Sequence, residues 1–378
     1  MISIHKIFME KKSAYILFLG NIKYDSRCYN LYNSLTATGW KVSALGFDWI
    51  SPNFKTEHIN SISVYKLSKQ FSSIFFYLKF SFIILYKLIF SRYDLYFAED
   101  VYTLPFAAVI AKWKKAKLIY DAREIYDNLA GLVGKKYIQQ ILSAVENKYI
   151  KYADHVITTG PLDADYLNKK YSITNIIIIR NLPLFRKPDA PVDYCKMFNL
   201  PPHSRFLIYQ GVILKGRGMK YAYSLLKKLE GYFLIVIGDG EYKDYYQKLA
   251  ADEGIAEKVR FVGRIEQDKL YNYTAGGTIG LSLIENISLS YYFALPNKLF
   301  EYILCELPVI VSDLPQMKQI VENFETGYAV NPEDEDSLLS RIKNLEDVQT
   351  YKMLKENCQK ASQELNWDKE ILKLLNNL

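Results

Sequence analysis

"NLPLFRKPDAPVDYCKMFNLPPHS", Asn181–Ser204, divides the chain, because five prolines in one short stretch can continue neither a helix nor a sheet. The same alternation runs on both sides of it. Before it come the apolar runs "AYILFLG", "KVSALGF", "YDLYFAED", "KLIYDA", "HVITTG" and "IIIIRN", separated by segments of helical spacing such as "SRCYNLYNSLTATGW". After it the series starts afresh with "RFLIYQG", "YFLIVIGDG", "VRFVG", "IGLSLI" and "LPVIVS". Most of these runs are unbroken rather than alternating, as strands covered on both faces of a parallel sheet require. The reading is α/β: two doubly wound, Rossmann-like domains facing each other across a cleft, with sites at the carboxyl ends of the strands. A chain of 378 residues suits two such domains. The expected limits are 1–180 for the first and 181–360 for the second. The terminal segment 361–378 reads as a helix that either packs locally or crosses back to the first domain.

Composition narrows the classes. Half of the residues are apolar and 24% are charged, an ordinary globular balance. Cys28, Cys195, Cys305 and Cys358 lie far apart with no C-x-x-C pair, which points to reduced thiols in a cytoplasmic protein. The opening "MISIHKIFMEKKSAYILFLG" lacks a small-residue cleavage site and reads as a tail leading into a strand. The net charge of +7 is uneven: residues 1–180 hold 24 Lys and Arg against 14 Asp and Glu, and the remainder is slightly acidic. A basic first half suits an anionic surface, nucleic acid or membrane, although lysine can also fall unevenly without a partner. No RNA-binding signature accompanies the tyrosines and lysines, which argues against nucleic acid.

One segment has the length of a membrane span, "FSSIFFYLKFSFIILYKLIF", residues 71–90. Lys79 and Lys87 interrupt it, and strands on both sides would be torn apart by a crossing. It reads as a buried crossover helix or as a helix in a membrane interface with snorkelling lysines.

Three glycine loops follow strands, where bare N–H groups can approach a phosphate. "FLGNIKYDSR" and "VIGDGEYKDYYQKL" do not complete G-x-G-x-x-G, although Asp48 stands near where a ribose carboxylate belongs. "YQGVILKGRGMK", with Lys215 and Arg217 among Gly211, Gly216 and Gly218, is the most phosphate-like of the three. Asp163 and Asp165 form a D-x-D that reads either as a metal holder or as an acidic helix start, and the helix start is the preferred reading. The histidines are scattered and no G-x-S-x-G is present, so neither zinc nor serine hydrolysis is indicated.

In "LPNKLFEYILCELPVIVSD", Leu295–Asp313, Pro296 suits a first helical turn. The N–H groups of Asn297, Lys298 and Leu299 are then expected to point outward beside the Lys298 charge. Glu301 lies one turn further in, where a carboxylate accepts hydrogen bonds from hydroxyls. A diphosphate at the mouth and a ribose on Glu301 fit, and so does a plain helix start with a dipole-friendly acid.

The same segment, extended through "LPQMKQIVENFETGYAVNPED", resembles the donor-site region of the retaining glycosyltransferases of family 4, which have the GT-B fold. "DSRCYNLYNSLTATGWKVSALG", "KLIYDAREIY", "ADHVITTG", "IIIIRNLP", "YQGVILKGRG", "VIGDGE" and "FVGRI" follow in family order over nearly the whole chain. The resemblance implies transfer of a sugar from a nucleotide-sugar to a glycan or lipid-linked acceptor, with retained configuration and no metal or other cofactor. It places the acceptor on the first domain and the nucleotide on the second. Glu301 would hold the ribose, while Arg217 and the backbone of Asn297, Lys298 and Leu299 would hold the diphosphate. Arg264 and Ile265 would contact the base. Gly20, Gly211 and Lys215 complete the expected donor set, and Arg123, Arg217 and Lys298 the catalytic one.

Three positions depart from the family pattern. Phe293 stands where the E-x7-E glutamate belongs, Val212 where an arginine is usual, and Arg123 where the D-x-H-E histidine faces the sugar. Arg123 cannot act as a base and is expected to neutralise an anionic acceptor. These departures keep open a catalytically silent partner protein, and a GT-B sugar-nucleotide epimerase is the alternative enzyme. The favoured expectation is a cytoplasmic transferase for surface polysaccharide, at the inner face of an anionic membrane.

Overall fold

A computed structural model describes residues 12–49, 51, 54–69 and 72–378. The expected N-terminal tail, residues 1–11, lies outside them.

The first domain runs β1 (Ser13–Leu17), α1 (Ser26–Ala37), β2 (Lys41–Asp48), β3 (Glu57–Ile59), β4 (Ile62–Lys66) and α2 (Ser73–Ile89). It continues with β5 (Leu95–Ala98), α3 (Leu104–Lys114), β6 (Lys117–Asp121), α4 (Lys136–Tyr149), β7 (His155–Thr158), α5 (Pro161–Tyr171) and β8 (Ile176–Ile178). The sheet order is β3-β4-β2-β1-β5-β6-β7-β8, parallel except for the β3–β4 pair. Its order reverses between β1 and β5, the point at which a doubly wound sheet opens a crevice.

After α6 (Tyr194–Phe198) the second domain runs β9 (Arg205–Gln210), α7 (Met219–Lys228), β10 (Tyr232–Ile237), α8 (Lys243–Asp252), β11 (Val259–Gly263) and α9 (Gln267–Ala275). Then come β12 (Ile279–Ser282), α10 (Leu289–Tyr292), α11 (Asn297–Leu304), β13 (Val309–Ser312), α12 (Pro315–Phe324) and β14 (Gly327–Val330). This sheet is wholly parallel, in the order β11-β10-β9-β12-β13-β14. Its central strands are buried on both faces, which explains their unbroken apolar sequences: Leu207, Ile208, Leu234, Ile235, Val309 and Ile310 are all inaccessible.

The chain ends with α13 (Glu335–Asn344), α14 (Val348–Glu364), α15 (Trp367–Glu370) and α16 (Leu372–Leu375). Helix α14 packs on α11 and α12 of the second domain. Trp367, Ile371 and Leu374 instead enter a first-domain core with Ile16, Leu31 and Leu35. The Trp367 indole N–H donates to Ser34 Oγ at 2.9 Å and its backbone N–H to the Pro183 carbonyl at 2.8 Å. The crossing therefore starts after α14, at residues 365–367 rather than at 361.

Other contacts join the domains directly. The Gln316 amide accepts from Leu162 N–H at 3.1 Å and donates to Asp163 Oδ2 at 2.9 Å. Ser290 Oγ donates to Glu124 at 2.8 Å, and the Phe293 ring meets Tyr166 edge-on at 6.3 Å. No helix among the described residues is long and apolar enough to cross a membrane.

Candidate active site

A cleft of about 920 Å³ lies between the two domains. Lys23, Tyr24, Ser26 and Asn30 line it from the first, and Arg264, Ile265, Gln267, Asn297 and Glu301 from the second. Arg264 reaches across it, its guanidinium 4.9 Å from the Tyr24 ring centre.

Helix α11 aims its N-terminus at this space. Pro296 supplies the extended residue before the helix and no side chain caps it. Among the described residues the N–H groups of Asn297 and Lys298 have no partner, so the positive end of the helix is open. The expectation that Leu299 shares this role is corrected: its N–H donates to the Pro296 carbonyl at 3.1 Å, and its side chain is core. A tight first turn consumes the third donor.

Lys298 is buried and its Nζ sits 4.5 Å from the Tyr209 ring centre. Burial, then the repulsion of Arg217, pushes its pKa down to about 7, against a pull upward from Glu301. Arg217 itself lies over the Tyr291 ring at 4.6 Å. Neither cation forms an ion pair among the described residues. Arg217 is near enough to Lys298 to lower its pKa, and both lie on tyrosine faces rather than against carboxylates.

Glu301 is buried one turn inside. Burial raises its pKa to about 7, while hydrogen bonds from Gln210 and Gln267 and the Lys298 charge oppose the rise. Gln210 Nε2 donates to it at 2.5 Å, and Gln210 Oε1 accepts from Thr274 Oγ1 at 2.5 Å. Gln210 thus fixes the carboxylate and was missed by the sequence reading. Its one signal was a polar residue closing an otherwise apolar strand, directly before Gly211.

The loop that follows β9 carries Arg217. A Cβ at Gly218 would stand 2.0 Å from the Leu283 carbonyl oxygen, and its φ of +85° is left-handed, so only glycine lets the loop close on β12. Gly238 is likewise confined, since a Cβ there would lie 2.0 Å from the Gly211 carbonyl oxygen, whereas a Cβ at Gly211 would meet nothing within 4 Å. Lys215 is exposed, and Gly211, Lys215, Arg217 and Lys298 all stand outside the lining of the cleft. Gly20 also stands outside the lining, and the Phe18 ring fills the place of its missing side chain.

Arg123 is corrected. Its Nη1 meets Asp25 at 2.8 Å and its Nη2 meets Glu99 at 2.6 Å, with Asp121 at 3.9 Å. The guanidinium is spent on the protein's own carboxylates and offers no free charge to an acceptor. Glu99 has no solvent contact, and burial, then Asp121, raises its pKa to about 7 despite Arg123. Arg27 holds Asp121 with two bonds beside them. The two aspartates of the D-x-D diverge, Asp163 buried against Gln316 and Asp165 exposed. Position 293, where the resemblance wants a glutamate, holds a ring packed on the other domain.

Two facing Rossmann-like domains with a cleft at the carboxyl ends of both sheets define the GT-B fold. Residues 196–364 match the family model described as glycosyl transferases group 1. Sucrose-phosphate synthase from Thermosynechococcus elongatus superposes with a TM-score of 0.78 at 18% identity, over 97% of this chain and 98% of that one. Anabaena HepE in complex with UDP-glucose gives 0.72 at 17%, over 97% and 100%. The lipopolysaccharide outer core galactosyltransferase WaaB gives 0.62 at 14%, over 97% and 100%. No curated protein matches the chain in sequence.

Proposed function

We propose that the protein is a retaining glycosyltransferase of the family 4 type. It moves a hexosyl or related group from a nucleotide-sugar to a glycan or lipid-linked acceptor in surface polysaccharide synthesis, in the cytoplasm and without a metal ion. The observation that carries the reading is the open end of α11 at the cleft, with Asn297 and Glu301 in its lining and, among the described residues, no ion pair on Lys298 or on the Arg217 that acts on it. As the glycosidic bond breaks, the leaving diphosphate gains negative charge. Arg217, a Lys298 that takes up its proton as the anion arrives, and the open helix end stabilise that charge more than they stabilise the intact donor, which is how binding energy becomes rate. Glu301, held by Gln210, accepts ribose hydroxyls, and Arg264 with Ile265 flanks the base. UDP bound to structurally similar proteins makes UDP-sugars the first donors to try.

Thermal-shift screening of nucleotide-sugars in EDTA, followed by product analysis of the hits with lipid-linked and free glycans, tests the reading. Glycosyl transfer with retained configuration in EDTA supports it. Transfer that needs added manganese or magnesium would remove the metal-free part, and donor isomerisation without acceptor would replace transfer altogether.

A further inference from the structure

Helices α2, α3 and α4 lie side by side on one face of the first sheet. Their inner sides are core: Phe76, Phe80, Ile84 and Leu88 of α2 pack with Ala107, Ala111 and Leu142. Their outer sides ought to be polar in water. Instead Phe75, Leu78 and Phe82 stand 68%, 59% and 71% exposed along α2, and Phe90 at its end is 77% exposed. Trp113 of α3 and Tyr137 of α4 extend the apolar surface to 65% and 76% exposure. Isolated exposed apolar side chains are ordinary, but a field of large ones across three adjacent helices is not.

The charges among them have one sign. The single acid on the three helices, Glu146, is buried and bonded to Tyr120 and Tyr171, whereas Lys79, Lys112, Lys136 and Lys148 are exposed. Lys114 is turned inward to the carbonyls that end α2 and takes no part. A second copy of this face would bring lysines against lysines, so a two-fold contact is disfavoured. Nucleic acid could stack on the rings but would leave the aliphatic Leu78 between the cations without a partner.

We propose that this face docks on an anionic lipid bilayer. The aliphatic and phenyl groups enter the acyl boundary, Tyr137 and Trp113 sit at headgroup level, and the lysines meet lipid phosphates. Because α2 follows the carboxyl end of β4, the bilayer would lie beside the cleft and bring a lipid-linked sugar to it.

Sedimentation of the full chain with vesicles tests the proposal without any measure of activity. Binding to phosphatidylglycerol–phosphatidylcholine vesicles at low salt is expected, falling at least roughly tenfold in ~0.5 M salt or on pure phosphatidylcholine. The Phe75→Ser/Phe82→Ser double variant, and separately Lys79→Glu/Lys136→Glu, is expected to lose at least about tenfold at unchanged melting temperature, since all four positions are exposed. Absence of vesicle binding at low salt overturns the proposal, as does binding that both double variants retain. A concentration-dependent dimer that Phe82→Ser abolishes, with no vesicle binding, would assign the face to a second copy instead.

Discussion

Replacing Lys298 with methionine separates a binding lysine from a structural one, because the two make opposite predictions for stability. The ammonium is buried without an ion-pair partner among the described residues, and its pKa falls from 10.5 to about 7, first through burial and then through Arg217. At about 1.4 kcal/mol per pH unit, the charged form costs the fold at most about 5 kcal/mol. The Tyr209 ring and water entering the cleft relieve part of this, leaving about 2–4 kcal/mol. Since the folded pKa lies below the unfolded one, the unfolded chain holds the extra proton between pH 7 and 10.5, and wild-type stability rises with pH across that window. Below pH 7 the cost is fully present. Lys298→Met keeps most of the buried stem and removes the charge, so it is expected to be more stable than wild type at pH 6, with the gap narrowing by pH 9. Urea denaturation at the two pH values measures this. The same variant is expected to bind UDP roughly 10- to 150-fold more weakly, from the about 1.5–3 kcal/mol of a lost charge-assisted contact, read by titration calorimetry at pH 6. A variant less stable than wild type at pH 6, or one with unchanged UDP affinity, would refute the anion-site argument.

Other substitutions probe the rest of the site and its frame. Arg217→Ala and Glu301→Ala are each expected to weaken nucleotide-sugar binding by about 1.5–3 kcal/mol, and unchanged calorimetry for both folded variants would move the donor elsewhere. Arg123→Ala is expected to cost about 3–5 kcal/mol of stability by stranding Asp25 and Glu99, while donor affinity holds. Glu99 can take up a proton in acid, so this deficit is expected to be smaller at pH 5 than at pH 8; a pH-independent deficit would contradict the ion-cluster account. Trp367→Ala removes a ring buried between the terminal segment and the first domain, and a loss of about 3–5 kcal/mol is expected in thermal unfolding.

Local chemistry settled much of this protein in advance. Unbroken β-branched runs predicted buried parallel strands, the prolines of 181–204 predicted the break between two series, and Pro296 predicted where α11 begins. Each of these is a property of neighbours in sequence, since strand burial, backbone φ and a missing N–H act within a few residues. What only the tertiary structure decided depends on groups brought together from far along the chain. Arg123 looks like a free cation until Asp25, 98 residues away, and Glu99 close on it. Gln210 gains its role from Glu301, 91 residues later. The apolar pattern of 71–90 suggested either a buried helix or an interfacial one, and helical periodicity alone had no means of choosing. Its neighbours fix its burial: the sheet covers one side of α2, α3 flanks it, and among the described residues no element covers Phe75 and Phe82. Whether a charge is spent or free, and whether an apolar side chain is inside or out, is fixed by what packs against it, and that is a property of the fold.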